Sequence, residues 1–166
     1  MTAPLLVLGW GNPSRGDDAL GPLFVEQLCS LAGDAAAGRV EFLDDFQLQV
    51  EHALDLVRRE RVLFVDTSRT CAAPFEVTAL RAARDASFTT HAMSPGSVLQ
   101  VYRDLYHVEP PPCTLLAIHG THFELGEPPA PSALQNLTQA LAWGLRWLAG
   151  QSGPDRAGVI TGSAHA

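Results

Sequence analysis

Apolar runs that alternate with helical periods predict an α/β fold: a three-layer sandwich in which a mostly parallel sheet of about five strands carries helices on both faces. Two further observations sharpen this reading. The first apolar run ends in Gly9-Trp10-Gly11, a sharp turn from strand into loop, and a later run of four apolar residues ends on a carboxylate, Asp66.

In chain order, Leu5 to Gly9 reads as the first strand and Gly21 to about Ala32 as the first helix, with Phe24, Leu28 and Leu31 at i, i+4 and i+7. Val40 to Leu43 reads as a short second strand. Gln47 to about Arg59 has helical period, with Val50, Leu54 and Val57 as its apolar stripe and Gln47, Glu51 and Asp55 on another face. That polar face reads as solvated or as a substrate contact. Arg61 to Asp66 is a buried strand, and the alternation of Phe75, Val77 and Ala79 predicts a more exposed edge strand. Ser94-Pro95 supplies an N-cap and a proline at the first helical position, and Val98, Val101, Tyr102 and Leu105 continue that helix to about His107.

Pro110, Pro111 and Pro112 break the chain before a further strand, Cys113 to Ile118. Ser132-x-x-Gln135 has capping-box form, and Leu134, Leu137, Leu141, Leu145 and Leu148 mark a long closing helix in which Trp143 and Trp147 are packing residues. Residues 1–150 are thus expected to form a single domain, and the small, polar segment 151–166 a disordered tail.

Composition excludes several classes. A formal charge of −7 argues against nucleic acid or an anionic membrane as the main partner. No apolar run approaches the length of a membrane span and no signal-peptide pattern opens the chain, so a cytoplasmic protein is expected, and a monomer. Cys29, Cys71 and Cys113 form no CxxC pair and read as reduced, partly buried thiols. No Gly-x-Ser-x-Gly elbow marks a serine nucleophile.

The chemistry concentrates where parallel sheets place ligands, outside the carboxyl ends of the strands. Asp17 and Asp18 follow the first strand, Asp66 ends the third, and His91 precedes the Ser94 helix. A phosphate-binding loop keeps negative side chains away from its amides, and like charges about 4 Å apart repel by roughly 4 kcal/mol at an effective dielectric of 20. The guest of this loop is therefore expected to be a cation. Two carboxylates and an imidazole suit a borderline divalent metal and leave positions open. Singly, each has a plainer reading: Asp66 as a turn residue, Asp17 and Asp18 as loop or helix-terminal charges, His91 as a loop histidine. His119-x-x-His122, at the same predicted edge, has a spacing that could hold metal if helical, or else lines a rim. Arg15 and Arg69 flank the acidic motifs and could pair with them or with a substrate carboxylate.

Taken together, Gly9-Trp-Gly-Asn12, Gly16-Asp-Asp-Ala-Leu-Gly21, Arg61 to Ser68 with Asp66, His91 followed by Val98-Leu99, and Glu124-Leu-Gly126 resemble the motifs of the hydrogenase maturation endopeptidases, over about the first 148 residues. The segment Asp44 to Leu56 resembles the branch serving NAD-linked bidirectional hydrogenases. The resemblance implies an aspartyl-type endopeptidase that removes the C-terminal extension from the nickel-loaded large-subunit precursor of a nickel-iron hydrogenase. The nickel would arrive with the precursor rather than be held permanently. Carried over by residue, Asp18, Asp66 and His91 are the metal-sensing and catalytic trio; many members have glutamate where Asp18 stands, so either the loop approaches more closely here or Asp17 shares the role. Either a carboxylate activates water, or the metal acts as Lewis acid. Two other readings stand beside it: a small nucleotide-binding module, although Ser14 replaces the third glycine of that pattern, and a nickel chaperone without protease activity.

Overall fold

The computed structural model describes residues 1–84, 93–151 and 159–161. Its strands are β1 (Leu5–Trp10), β2 (Val40–Asp45), β3 (Arg61–Ser68), β4 (Phe75–Ala79), β5 (Cys113–His119) and β6 (Val159–Thr161), joined in one sheet of order β2-β1-β3-β5-β4-β6. β2, β1, β3 and β5 run parallel. β4 runs antiparallel to both β5 and β6.

The helices α1 (Leu20–Ala32), α2 (Pro95–Tyr106) and α3 (Pro131–Leu148) complete three layers. Side chains alternate along each strand, so Leu5, Val7, Leu63, Val65, Leu116 and Ile118 face α1 and α3, whereas Leu6, Leu8, Trp10, Val62 and Phe64 face α2 and a short 3-10 helix, Val50–Leu56. All six residues of β1 are buried because it is paired on both sides and covered on both faces.

Glycine permits two close crossings. A Cβ on Gly21 would lie 2.3 Å from the Trp10 carbonyl oxygen, so α1 can start directly against the end of β1. A Cβ on Gly144 would lie 2.7 Å from Phe24 Cζ, which lets α3 press onto α1. Ser94 caps α2 as expected, its Oγ accepting from the Ser97 amide at 3.1 Å. Trp143 and Trp147 are buried, and the Arg61 guanidinium lies 4.5 Å from the Trp147 ring centroid and donates to the Trp147 carbonyl at 2.9 Å.

Several expectations are corrected. The Gln47–Arg59 helix is a 3-10 turn over Val50–Leu56, entered through a reciprocal cap between Gln49 and His52. Its tighter winding buries His52, Ala53 and Leu56 and leaves Val50 and Leu54 outside. β4 is no exposed edge: β6 pairs with its outer side, and Phe75 and Val77 are buried. β6 comes from the segment expected to be a tail, whose residues 152–158 and 162–166 lie outside the described residues. α3 starts at Pro131 after Ala130, without a side-chain cap, so Ser132 does not serve as one. Leu31, Leu134 and Leu145 are exposed, and the buried stripe of α3 runs instead through Ala133, Leu137, Ala140, Leu141 and Gly144. Among the described residues no helix is long and apolar enough to cross a membrane.

Candidate functional site

The carboxyl ends of β1 and β3 lie side by side; the loop after β1 carries Asp17 and Asp18, and β3 carries Asp66 near its end. The β1 loop turns back at Gly11, whose φ of +146° and whose approach to the Asp18 carbonyl, 2.0 Å from where a Cβ would stand, admit no side chain. The turn places Asp18 so that its Oδ2 accepts from the Asn12 amide at 2.7 Å. Among the described residues its other carboxylate oxygen takes no hydrogen bond.

Asp66 occupies the β3 end, on the face that carries Phe64 and Trp10, and accepts from the Thr67 amide at 2.8 Å. Burial pushes its carboxyl up to about 7; the Thr67 hydrogen bond opposes the rise and the negative charge of Asp18 adds to it. The two carboxylates therefore sense one another at the edge where the fold places ligands. A divalent cation would relieve both the desolvation and the repulsion.

Asp17 is treated quite differently from its neighbour. It is fully buried, at 0% exposure. Its Oδ2 accepts from the Thr121 and His122 amides at 2.8 and 2.9 Å, and its Oδ1 from the Ala130 amide at 2.8 Å. With those donors in place it cannot share the ligand position with Asp18. His119 and His122 also point to other tasks. His119 closes β5 and the chain beyond it is a loop, so the two imidazoles do not share a helical face. His119 Nδ1 lies 2.9 Å from the Cys71 carbonyl oxygen. His122 Nε2 is paired with Glu127, which raises the imidazole pKa.

Among the described residues no three His, Cys, Asp or Glu side chains gather closely enough to hold a metal ion. His91, the third member of the expected trio, lies outside the described residues. Arg69 stacks over Phe123, 4.1 Å from its centroid, and neither it nor Arg15 forms a salt bridge among the described residues. The thiols are free, with Cys71 and Cys113 buried and Cys29 exposed, and burial pushes Cys113 up to about 12.

The glycine turn has no amide to offer a phosphate. Gly11 donates to the Asp45 carbonyl at 3.0 Å, Asn12 to Asp18, Ser14 to the Asn12 side chain at 2.9 Å, and Arg15 to the Asn12 carbonyl at 3.1 Å. Gly16, Asp17 and Asp18 donate to the carbonyls of Glu127, His122 and Arg15 at 2.9, 2.7 and 3.0 Å. Pro13 has none. A nucleotide would have to break this set and face two acids.

Sequence reasoning missed two features. One is the inward role of Asp17, whose partners come from the distant β5–α3 loop and leave no local pattern. The other is the buried His52, whose Nδ1 accepts from the Gln49 amide at 2.8 Å while Nε2 lies 3.3 Å from Asp45 at the β2 end. The Asp45 to His52 spacing is its only sequence trace.

The fold and the two acids define an α/β protein of three layers with two interacting carboxylates at the carboxyl edge of its sheet. No protein-family model matches the sequence, and comparison with the curated proteins finds no match. Solved structures do match. The hydrogenase maturating endopeptidase HybD from E. coli is 23% identical, with a TM-score of 0.68 over 98% of this chain and 99% of that one. The [NiFe] hydrogenase maturation protease HycI from Thermococcus kodakarensis KOD1 is 21% identical, with a TM-score of 0.65 over 89% and 93%. The hydrogenase 2 maturation peptidase from Thaumarchaeota archaeon SCGC_AB-539-E09 is 22% identical, with a TM-score of 0.62 over 89% and 99%. The chain has the fold of these proteases.

Proposed function

We propose that this protein is a hydrogenase maturation endopeptidase that removes the C-terminal extension of a nickel-loaded large-subunit precursor, with Asp18, Asp66 and His91 recognising the nickel. The reading is supported by Asp18 and Asp66, which both lie toward the carboxyl edge of the sheet with the charge of one raising the pKa of the other, in a fold shared with such proteases almost end to end. Nickel is part of the substrate here. A precursor that carries it supplies a cation for two carboxylates that repel one another, so the energy of docking depends on metal insertion having taken place. Apo-precursor offers no such contact and waits.

Asp66 must lose its proton to serve. With its carboxyl at about 7, proton and metal compete near neutrality, and cleavage is expected to weaken as pH falls through that value. His91 must be neutral as well, which adds to the same trend. A flat profile between about pH 5 and 8 would count against both.

The test is incubation with nickel-loaded and nickel-free precursor, with the products weighed by mass spectrometry. Only the loaded form should lose its C-terminal peptide, and Asp66→Asn and His91→Ala should each slow the cut by about a hundredfold or more. Equal cleavage of both forms ends the metal-licensing idea, and full activity in both variants removes the site.

A further inference from the structure

We infer that Asp17 is a positioning residue: its buried carboxylate ties the β5–α3 loop to the β1 turn and thereby fixes where Asp18 stands relative to Asp66. The consequence for cleavage rests on the function proposed above; the placement itself does not.

The geometry joins the carboxyl ends of three strands through one residue. From the β5 side, Thr121, His122 and Ala130 give their amides to the Asp17 carboxylate. The Asp17 amide returns a bond to the His122 carbonyl at 2.7 Å. From the β3 side, Thr67 Oγ1 donates to the Asp17 carbonyl at 2.7 Å, and Thr67 is the residue directly after Asp66. Gly120, whose Cβ would stand 2.6 Å from Thr67 Cγ2 and 2.8 Å from Asp17 Cβ, lets the end of β5 close on both. Asp17 is thus bonded to the immediate neighbour of one proposed ligand and is itself the immediate neighbour of the other. Any slack in it is transmitted to their separation.

The position calls for a carboxylate. Three N–H donors converge on two oxygens, and a carboxylate is acceptor-only. Asparagine keeps two of the bonds when its oxygen faces Thr121 and His122, but its NH₂ then confronts the Ala130 amide. Alanine loses all three. The severity order is therefore Asp17→Ala above Asp17→Asn. Thr67→Val removes the β3 tie alone, and Thr67→Ser restores it.

The test pairs a placement readout with a rate. Hydrogen exchange at the Asn12 amide reports whether Asp18 Oδ2 still accepts from it. It is measured by NMR, well below the melting temperature, in wild type, Asp17→Asn, Asp17→Ala, Thr67→Val and Thr67→Ser. A destabilised control, Leu141→Ala, lies in the α1–α3 layer away from the acids. Asn12 exchange should accelerate at least about tenfold more in the Asp17 variants than in Leu141→Ala, and kcat/KM for cleavage of nickel-loaded precursor should fall about tenfold in Asp17→Asn and hundredfold in Asp17→Ala. Thr67→Ser should match wild type where Thr67→Val does not. Asn12 exchange that tracks stability alone, equal to the Leu141→Ala control, overturns the inference whatever cleavage does. If wild type leaves the loaded precursor uncut, the proposed function fails and the exchange measurement still decides the role of Asp17.

Discussion

The two faces of the sheet are covered by different means. On one, α1 and α3 pack on each other and on Leu5, Val7, Leu63, Val65, Leu116 and Ile118, sealed by Phe24, Leu28, Leu137, Trp143 and Trp147. On the other, α2 and a one-element 3-10 helix cover Leu6, Leu8, Val62 and Phe64, and the layer ends at Trp10 and Asp66. The first face is mainly apolar, with Thr114 its buried polar strand residue and Arg61 stacked on Trp147. The second runs out of cover at the carboxyl edge, where a carboxylate is half-buried and its pKa raised. Stability and chemistry are divided between the faces, and the β1 turn, with Asp17 bonded into the structure and Asp18 at the edge, joins them.

The division is broken most forcefully from the first face. Phe24 is fully buried between Gly144 and the sheet. Phe24→Ala is expected to cost about 3–5 kcal/mol, read as a shift in the urea midpoint at unchanged slope. Cleavage per folded molecule should stay at the wild-type level. A variant that folds normally yet cuts slowly would show that the α1–α3 layer shapes the site after all.

A smaller effect comes from Asp66 on the second face. Its carboxyl titrates at about 7 in the folded chain against 3.8 when free, so between those values the native state holds a proton that the unfolded chain has released. The contribution is fully present below pH 3.8, declines as pH rises, and is lost above about 7. Asp66→Asn removes that slope. The variant should match wild type near pH 4 and exceed it near pH 8 by about 2 kcal/mol, roughly half the value of the full shift because water still reaches the carboxyl. Parallel stability–pH curves for the two proteins would mean that Asp66 is no more desolvated than a surface acid.

The same division governs what could be read from the sequence. β1, β3, β5 and α1, α2 and α3 were legible because burial on parallel strands leaves continuous apolar runs, because helical periods stand out beside them and because Ser94-Pro95 is a strong helix start. Asp18 and Asp66 were legible because topology sends both to the same edge. Asp17 was not separable from Asp18, since what distinguishes them is backbone amides from Thr121, His122 and Ala130, contributed by a distant loop. β6 was hidden because Val159-Ile160-Thr161 is too short to stand out in a small, polar segment.

The weakest effect separates the two windings of the 50–56 segment. An α-helix over 47–59 would place Val50, Leu54 and Val57 against the sheet, and replacing Leu54 with a charge would then bury an unpaired carboxylate at a cost of several kcal/mol, on the order of 3–5. The 3-10 winding puts Ala53 and Leu56 inward and leaves Leu54 56% exposed. Leu54→Glu should therefore change stability by no more than about 0.5 kcal/mol, whereas Leu56→Ala should cost about 2–5 kcal/mol, both measured by denaturant unfolding. Reversal of that order would restore the α-helical period and move the cover of the second face by a third of a turn. Retention of it means that the Gln49–His52 cap, by starting a tighter helix, chose which side chains the segment gives to the core and which it leaves exposed.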